Sequence, residues 1–236
     1  MEDRTGFGAR IAGRIAARIG VALGLASLVV ALPTAPASAR RYSEKRAACT
    51  QSDPLRQPFF GDTHVHTVYS FDANGQDTRN TPRDAYRLAK GGEIGLQPYD
   101  AEGKPLRTAK LSRPLDFTVV TDHAEMLGEV EMCSTPGTPG YGSDLCWVYQ
   151  NFRPATFTYF AVRNMIQRNR FEFCGAGGKD CLVQAEVVWK DIQAAAEESY
   201  DRTAQCAFTS FVGYEWTASG AAGANLHRNV IFRNAN

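Results

Sequence analysis

Apolar residues fall into short blocks along the chain, separated by polar and glycine-rich stretches. Phe59-Phe60-Gly61-Asp62-Thr63-His64 predicts a short strand. Thr81-Pro82 predicts a helix start, with Thr81 as the cap and Pro82 at the first helical position. That helix runs to about Lys90, where Gly91-Gly92 ends it. Residues 95–113 read as a polar excursion with the look of a hairpin. Leu115 to Val120 is a continuous apolar-leaning strand of the kind buried on both faces. Residues 133–146 form a Gly/Pro-rich loop. A helix is predicted from about Pro154 to Arg170, with Phe157, Phe160, Ala161 and Met165 on one stripe. A second spans about Val183 to Ser199, with the stripe Val183, Val187, Val188, Ile192 and Ala195. Strands follow at Phe208 to Thr217 and at Asn229 to Arg233. Strands alternating with helices predict an α/β fold with a mainly parallel sheet.

The first 39 residues stand apart from this pattern. Arg10, Arg14 and Arg18 precede an apolar run from Ile19 to Leu32, and Ala37-Ser38-Ala39 follows. A basic start, a short apolar core and an Ala-x-Ala end predict a secretory signal peptide cleaved after Ala39. The run falls short of the about 20 residues a spanning helix needs, so no lasting membrane anchor is expected. Residues 40–57 read as a leader and residues 58–236 as the domain. The six cysteines, Cys49, Cys133, Cys146, Cys174, Cys181 and Cys206, all lie beyond the cut. An even number in an exported chain predicts disulfides and a periplasmic or secreted destination. Local spacing favours Cys133–Cys146 and Cys174–Cys181, leaving Cys49–Cys206. A zinc cluster is the weaker reading, because no Cys-x-x-Cys knuckle occurs. The net charge is +1, so no basic excess points toward nucleic acid.

The candidate chemistry sits at strand ends, where functional residues of α/β folds gather. His64-Val65-His66 puts two imidazoles on one side of an extended segment. Asp72 follows in a turn-like stretch. Asp122-His123 closes the buried strand, a carboxylate beside an imidazole. Glu215 ends the strand near residue 211, and a carboxylate there can bridge two metals. His227 lies just before the last strand. Each alone is more often structural: a core histidine, a turn residue or half of a salt bridge. Five such features on successive strand ends point to a metal site. Asp122 and Glu215 are the candidate catalytic carboxylates; His64, His66, Asp72, His123, Glu215 and His227 are the candidate ligands. Glu125 and Glu129 could serve as acid/base groups, but the acidic first turn of a helix is the preferred reading.

The segment from Gly61 to Asp72, with Thr121-Asp122-His123 and Gly213-Tyr214-Glu215, resembles the first three motifs of the PHP (polymerase and histidinol phosphatase) superfamily. His227 fits the histidine that follows the third. More narrowly, residues 60–66 and 115–125 resemble an exported bacterial branch, the domain-of-unknown-function 3604 family. The resemblance covers roughly residues 58–236. It implies a distorted (β/α)7 barrel with two or three divalent ions, Zn, Mn or Fe, at the strand C-termini. His64 and His66 would hold one metal, Glu215 would bridge it to a second shared with His227, and Asp72 and His123 would serve a third. It implies a phosphoesterase using metal-activated water on a small anionic substrate. Arg79, Arg228 and Lys90 could meet such an anion, although ordinary surface cations are the commoner case.

The chain departs from the family's pattern near its end. No later histidine or Asp-x-His pair follows His227. Removal of the signal leaves fewer residues than the ~250 of an eight-stranded barrel. The expectation is an N-terminal portion of a longer enzyme or a truncated gene product, inactive or impaired in this form. Two other readings compete: an amidohydrolase-type metal hydrolase, which would need a carboxylated lysine at a later strand end, and a non-catalytic exported metal-binding module.

Overall fold

The computed structural model of the protein describes residues 46, 48–51, 53, 55–163, 169–219 and 225–233. The signal peptide read at residues 1–39, and its cleavage point, lie outside them. The architecture is mixed α/β. Strand β1 (Gly61–Val65) runs parallel to β4 (Phe117–Val120), and β4 runs parallel to β5 (Thr209–Ser219). Strand β6 (Asn225–Phe232) pairs antiparallel with β5, giving the order β1-β4-β5-β6. The sheet curls, because the Asn229 side-chain amide on β6 donates to the Thr63 carbonyl on β1 at 2.7 Å, one end strand meeting the other. Strands β2 (Glu93–Tyr99) and β3 (Pro105–Lys110) form the hairpin expected within residues 95–113. These sheets are small, and a closed seven-stranded barrel is not present among the described residues.

Among the described residues, six α-helices accompany the sheet: α1 (Phe71–Gly75), α2 (Pro82–Ala89), α3 (Leu127–Ser134), α4 (Asp144–Asn151), α5 (Arg153–Val162) and α6 (Lys179–Ser199). Helix α2 begins where Thr81-Pro82 predicts. The Thr81 hydroxyl accepts from the Asp84 N–H while the Asp84 carboxylate accepts from the Thr81 N–H, a capping box worth about 1 kcal/mol. Tyr86 and Ala89 of α2, Val120 of β4, Val212 of β5, and Ala195 and Ala196 of α6 make one core cluster. Here α2 and α6 cover one face of the sheet. Val188 and Ile192 of α6 pack on Leu127 of α3. Burying a side chain such as Ile192 contributes about 1.5–3 kcal/mol. A third cluster joins Phe71, Tyr149, Phe160 and Phe171 to two of the disulfides.

Three details differ from the sequence pattern. Helix α6 starts earlier than Val183, and its buried stripe is Cys181, Val188, Ile192, Ala195 and Ala196, while Val183 and Val187 face outward. Helix α4 occupies residues where no element is read, capped by the Ser143 hydroxyl, which accepts from the Cys146 N–H. The helix predicted to reach Arg170 is described only to Val162, and residues 164–168 fall outside the described set.

All three disulfides pair as the spacing favours: Cys49–Cys206, Cys133–Cys146 and Cys174–Cys181. They are consistent with an extracellular protein. Among the described residues, no helix is long and apolar enough to cross a membrane.

Candidate metal centre

The period of two along β1 carries His64 and His66 to the same side. The turn after β1 is latched to the turn after β4. The buried Asp122 carboxylate accepts the Thr67 N–H with one oxygen and the Thr67 hydroxyl, at 2.7 Å, with the other. Ser70 ties the same turns together. Its hydroxyl accepts the His123 N–H at 3.1 Å and donates to Asp72 Oδ1. Asp72 sits in the first turn of α1, not in a plain turn. Glu215 lies within β5, which runs on to Ser219, and its N–H donates to the Asp122 carbonyl at 3.0 Å. A lone parallel bridge pairs His123 with Glu215. His227 lies inside β6, opposite Thr217, rather than before the strand.

These elements bring all six predicted ligands together. His64 Nε2 and His66 Nε2 lie 3.1 Å apart, and each faces Glu215 Oε2, at 3.0 and 2.7 Å. His66 Nδ1 is 3.0 Å from Asp72 Oδ2. His123 Nε2 lies 3.8 Å from Asp72 Oδ2 and 3.7 Å from Glu215 Oε2. His227 Nδ1 meets the other oxygen of Glu215, Oε1. Three overlapping groups result, each with one donor atom per residue, all within 4.8 Å of one another: His64, His66 and Glu215; His66, Asp72 and His123; His123, Glu215 and His227. Ligand atoms set tetrahedrally 2.0–2.2 Å from a zinc ion stand about 3.4 Å apart, so the spacing fits a divalent cation.

The electrostatics agree with that fit. Burial would raise the Glu215 carboxyl, but His123, His227, His64 and His66 hold it below the ordinary range. Burial opposes ionisation of Asp72 too, and hydrogen bonds from His66 and Ser70 outweigh it, leaving its carboxyl well below the ordinary range. Burial lowers His66, yet Asp72, Asp122 and Glu215 together raise it. Asp122 is pushed up to about 6, chiefly by burial. Among the described residues, the ion-pair partners of Asp72, Glu125 and Glu215 are all imidazoles. Acids whose partners are imidazoles, rather than Arg or Lys, form a donor set that suits a cation.

Asp122 is turned toward Thr67 and stands outside the three groups. Of the candidate anion-binding cations, Arg79 pairs with Asp77 and stacks on Tyr99, Lys90 donates to the Ser199 carbonyl, and Arg228 donates to the His227 carbonyl. The two glutamates after the second motif separate. Glu129 joins α3 and is bound by Arg170 at 2.7 Å, whereas Glu125 turns toward His123, its Oε2 lying 3.4 Å from Nδ1. Thr217 also joins the site, its hydroxyl 3.1 Å from His123 Nδ1. Thr217 carries no chemical signal in sequence; only its register two residues past Glu215 marks it. A fourth donor group, Glu129 with Cys174 and Cys181, offers no thiolates, because the two sulfurs are bonded to each other.

No curated protein and no solved structure matches the chain. The model of one family of unknown function, DUF3604, matches residues 53–236. The span contains every ligand candidate, and the chain therefore belongs to the DUF3604 family.

Proposed function

We propose that this protein is a metal-dependent hydrolase of phosphoesters, built on the PHP plan. Under that reading, the curled sheet is the opening part of a distorted (β/α)7 barrel, and two or three Zn, Mn or Fe ions would be held by His64 with His66, by Glu215 with His227, and by Asp72 with His123. The observation that carries it is the Glu215 carboxylate. It is fully buried, with one oxygen facing His64 and His66 and the other facing His227, the disposition of a carboxylate that bridges two ions. Mixed imidazole and carboxylate donors do not select one metal.

A divalent ion held there supplies Lewis acidity, which polarises a phosphoryl oxygen and lowers the pKa of water to about 7. The chain's own residues set the rest. Asp72 fixes the His66 ring through Nδ1, which aims Nε2 at the Glu215 side. Asp122 holds the β1 turn through Thr67, so the two histidines keep their spacing. The half-exposed His64 ring marks the open side, where a small anionic substrate would approach.

The test loads metal-stripped protein with Zn²⁺, Mn²⁺ or Fe²⁺. Bound metal is counted by elemental analysis and hydrolysis is followed on a phosphomonoester and a phosphodiester. Two or three equivalents with turnover support the reading. His64→Ala and Glu215→Gln should each lower metal content and abolish turnover. Unchanged metal content and turnover in either variant would refute the assignment.

A further inference from the structure

Glu125 presents an unusual oxygen. Its Oε1 accepts the Thr217 N–H, but its Oε2 is sealed from solvent and has no hydrogen-bond partner among the described residues. A buried acceptor left unpaired costs about 1–3 kcal/mol, so its surroundings call for an explanation. That oxygen lies 3.4 Å from His123 Nδ1, and the Thr217 hydroxyl lies 3.1 Å from the same nitrogen.

A neutral imidazole carries one proton, on Nδ1 or Nε2. A lone pair on Nδ1 would face the carboxylate oxygen, two electron pairs opposed in a buried place. A proton on Nδ1 turns that repulsion into attraction. On the Nε2 side the facing carboxylate oxygens, from Asp72 and Glu215, are farther, at 3.8 and 3.7 Å. The nearer side takes the proton and leaves the Nε2 lone pair pointing at Asp72 and Glu215, where a cation would sit.

We infer that Glu125 is a positioning residue that fixes the Nδ1–H tautomer of His123 and so presents its Nε2 to the ion shared with Asp72. The inference rests on the metal-centre reading but concerns a proton that can be observed without metal. Carboxylates placed behind ligating histidines orient them, and their loss costs ~10–100-fold in metal affinity. Thr217 cooperates through its backbone, since its N–H anchors one carboxylate oxygen and so aims the other.

The discriminating variant is Glu125→Gln, nearly isosteric. The Thr217 N–H holds the amide oxygen, so the amide NH₂ faces His123 Nδ1 and donates to it. The readout is the nitrogen chemical shifts of His123 in ¹⁵N-histidine-labelled, metal-stripped protein, at a pH where the ring is neutral. The parent should show Nδ1–H and Glu125→Gln should show Nε2–H. Zn²⁺ affinity at the Asp72/His123 group should fall ~10–100-fold in the variant. Thr217→Val, which keeps the N–H and loses the hydroxyl, should retain Nδ1–H. An unchanged tautomer in Glu125→Gln would overturn the inference, as would a switch in Thr217→Val alone. A tautomer switch in a protein that binds no metal would uphold the positioning while sinking the metal centre, so the two failures are distinguishable.

Discussion

The Cys49–Cys206 bridge ties the segment before β1 to the loop before β5, across a sequence separation of 157. Removing it through Cys49→Ser/Cys206→Ser frees the unfolded chain far more than the folded one. Chain-entropy arithmetic for a loop of this size gives a loss of about 5 kcal/mol. The two shorter bridges lie inside the loop and shorten it too little to change a logarithm. For comparison, the Cys133–Cys146 separation of 13 corresponds to about 3 kcal/mol. The folded state gives up little beyond the bond. Cys49 is exposed, so a serine there buries no new polar group, and the Thr50 N–H still donates to the Ala204 carbonyl at 2.8 Å. With a typical total stability of about 5–15 kcal/mol, the variant sits near the edge of folding. Urea denaturation followed by tryptophan fluorescence, with the other two bridges intact, measures the change. The midpoint should drop and the slope should rise, because the unfolded chain expands and exposes more surface. A loss under about 2 kcal/mol with an unchanged slope would refute the argument that this bridge acts on the unfolded state.

Two further outcomes are expected. Burial raises the Glu129 carboxyl above its ordinary value despite Arg170 beside it. Its contribution to stability is therefore complete at pH below the unfolded value and is lost as pH rises through the folded one. Glu129→Gln should flatten that fall above the ordinary carboxylate range, and parallel stability–pH curves for parent and variant would contradict this. Gly128 of α3 lies so close to α6 that an added Cβ would stand 1.8 Å from the Cys181 carbonyl oxygen. Gly128→Ala should cost about 3 kcal/mol or more in thermal or chemical denaturation, and a loss below about 1 kcal/mol would show that the two helices part easily.

What the sequence made legible was what local chemistry decides. Thr81, Pro82 and Asp84 announce a helix start because the cap is made within four residues. The His64–His66 spacing reads correctly because strand alternation is local. Long-range choices were less visible. Val183 and Val187 look as apolar as Val188 and Ile192, yet the face of α6 that is buried is chosen by α3 and by the sheet. Helix α4 begins at the end of the Gly/Pro-rich stretch 133–146, although Ser143-Asp144 carries a cap signal. His227 reads as preceding a strand because the pattern Asn225-Leu226-His227-Arg228 has little apolar content, while pairing with β5 supplies the order. Among the acids, Glu125 and Glu129 are four residues apart on paper. Only the fold shows that one faces His123 and the other Arg170.

The curl of the sheet also grades access to the donor groups. His64 is 56% exposed and His227 40%, while His123 and Glu215 are nearly sealed. The group of His66, Asp72 and His123 has no member as open as either outer histidine. For ions bound as proposed, exchange with the surroundings would therefore be ordered. Under the proposed metal-centre reading, a chelator would reach an ion on the His64 or His227 side first, and an ion at Asp72 would leave last and enter first. In a compartment whose metals fluctuate, such a protein would keep its innermost ion through brief scarcity. The outer positions would then report the metals present at that moment.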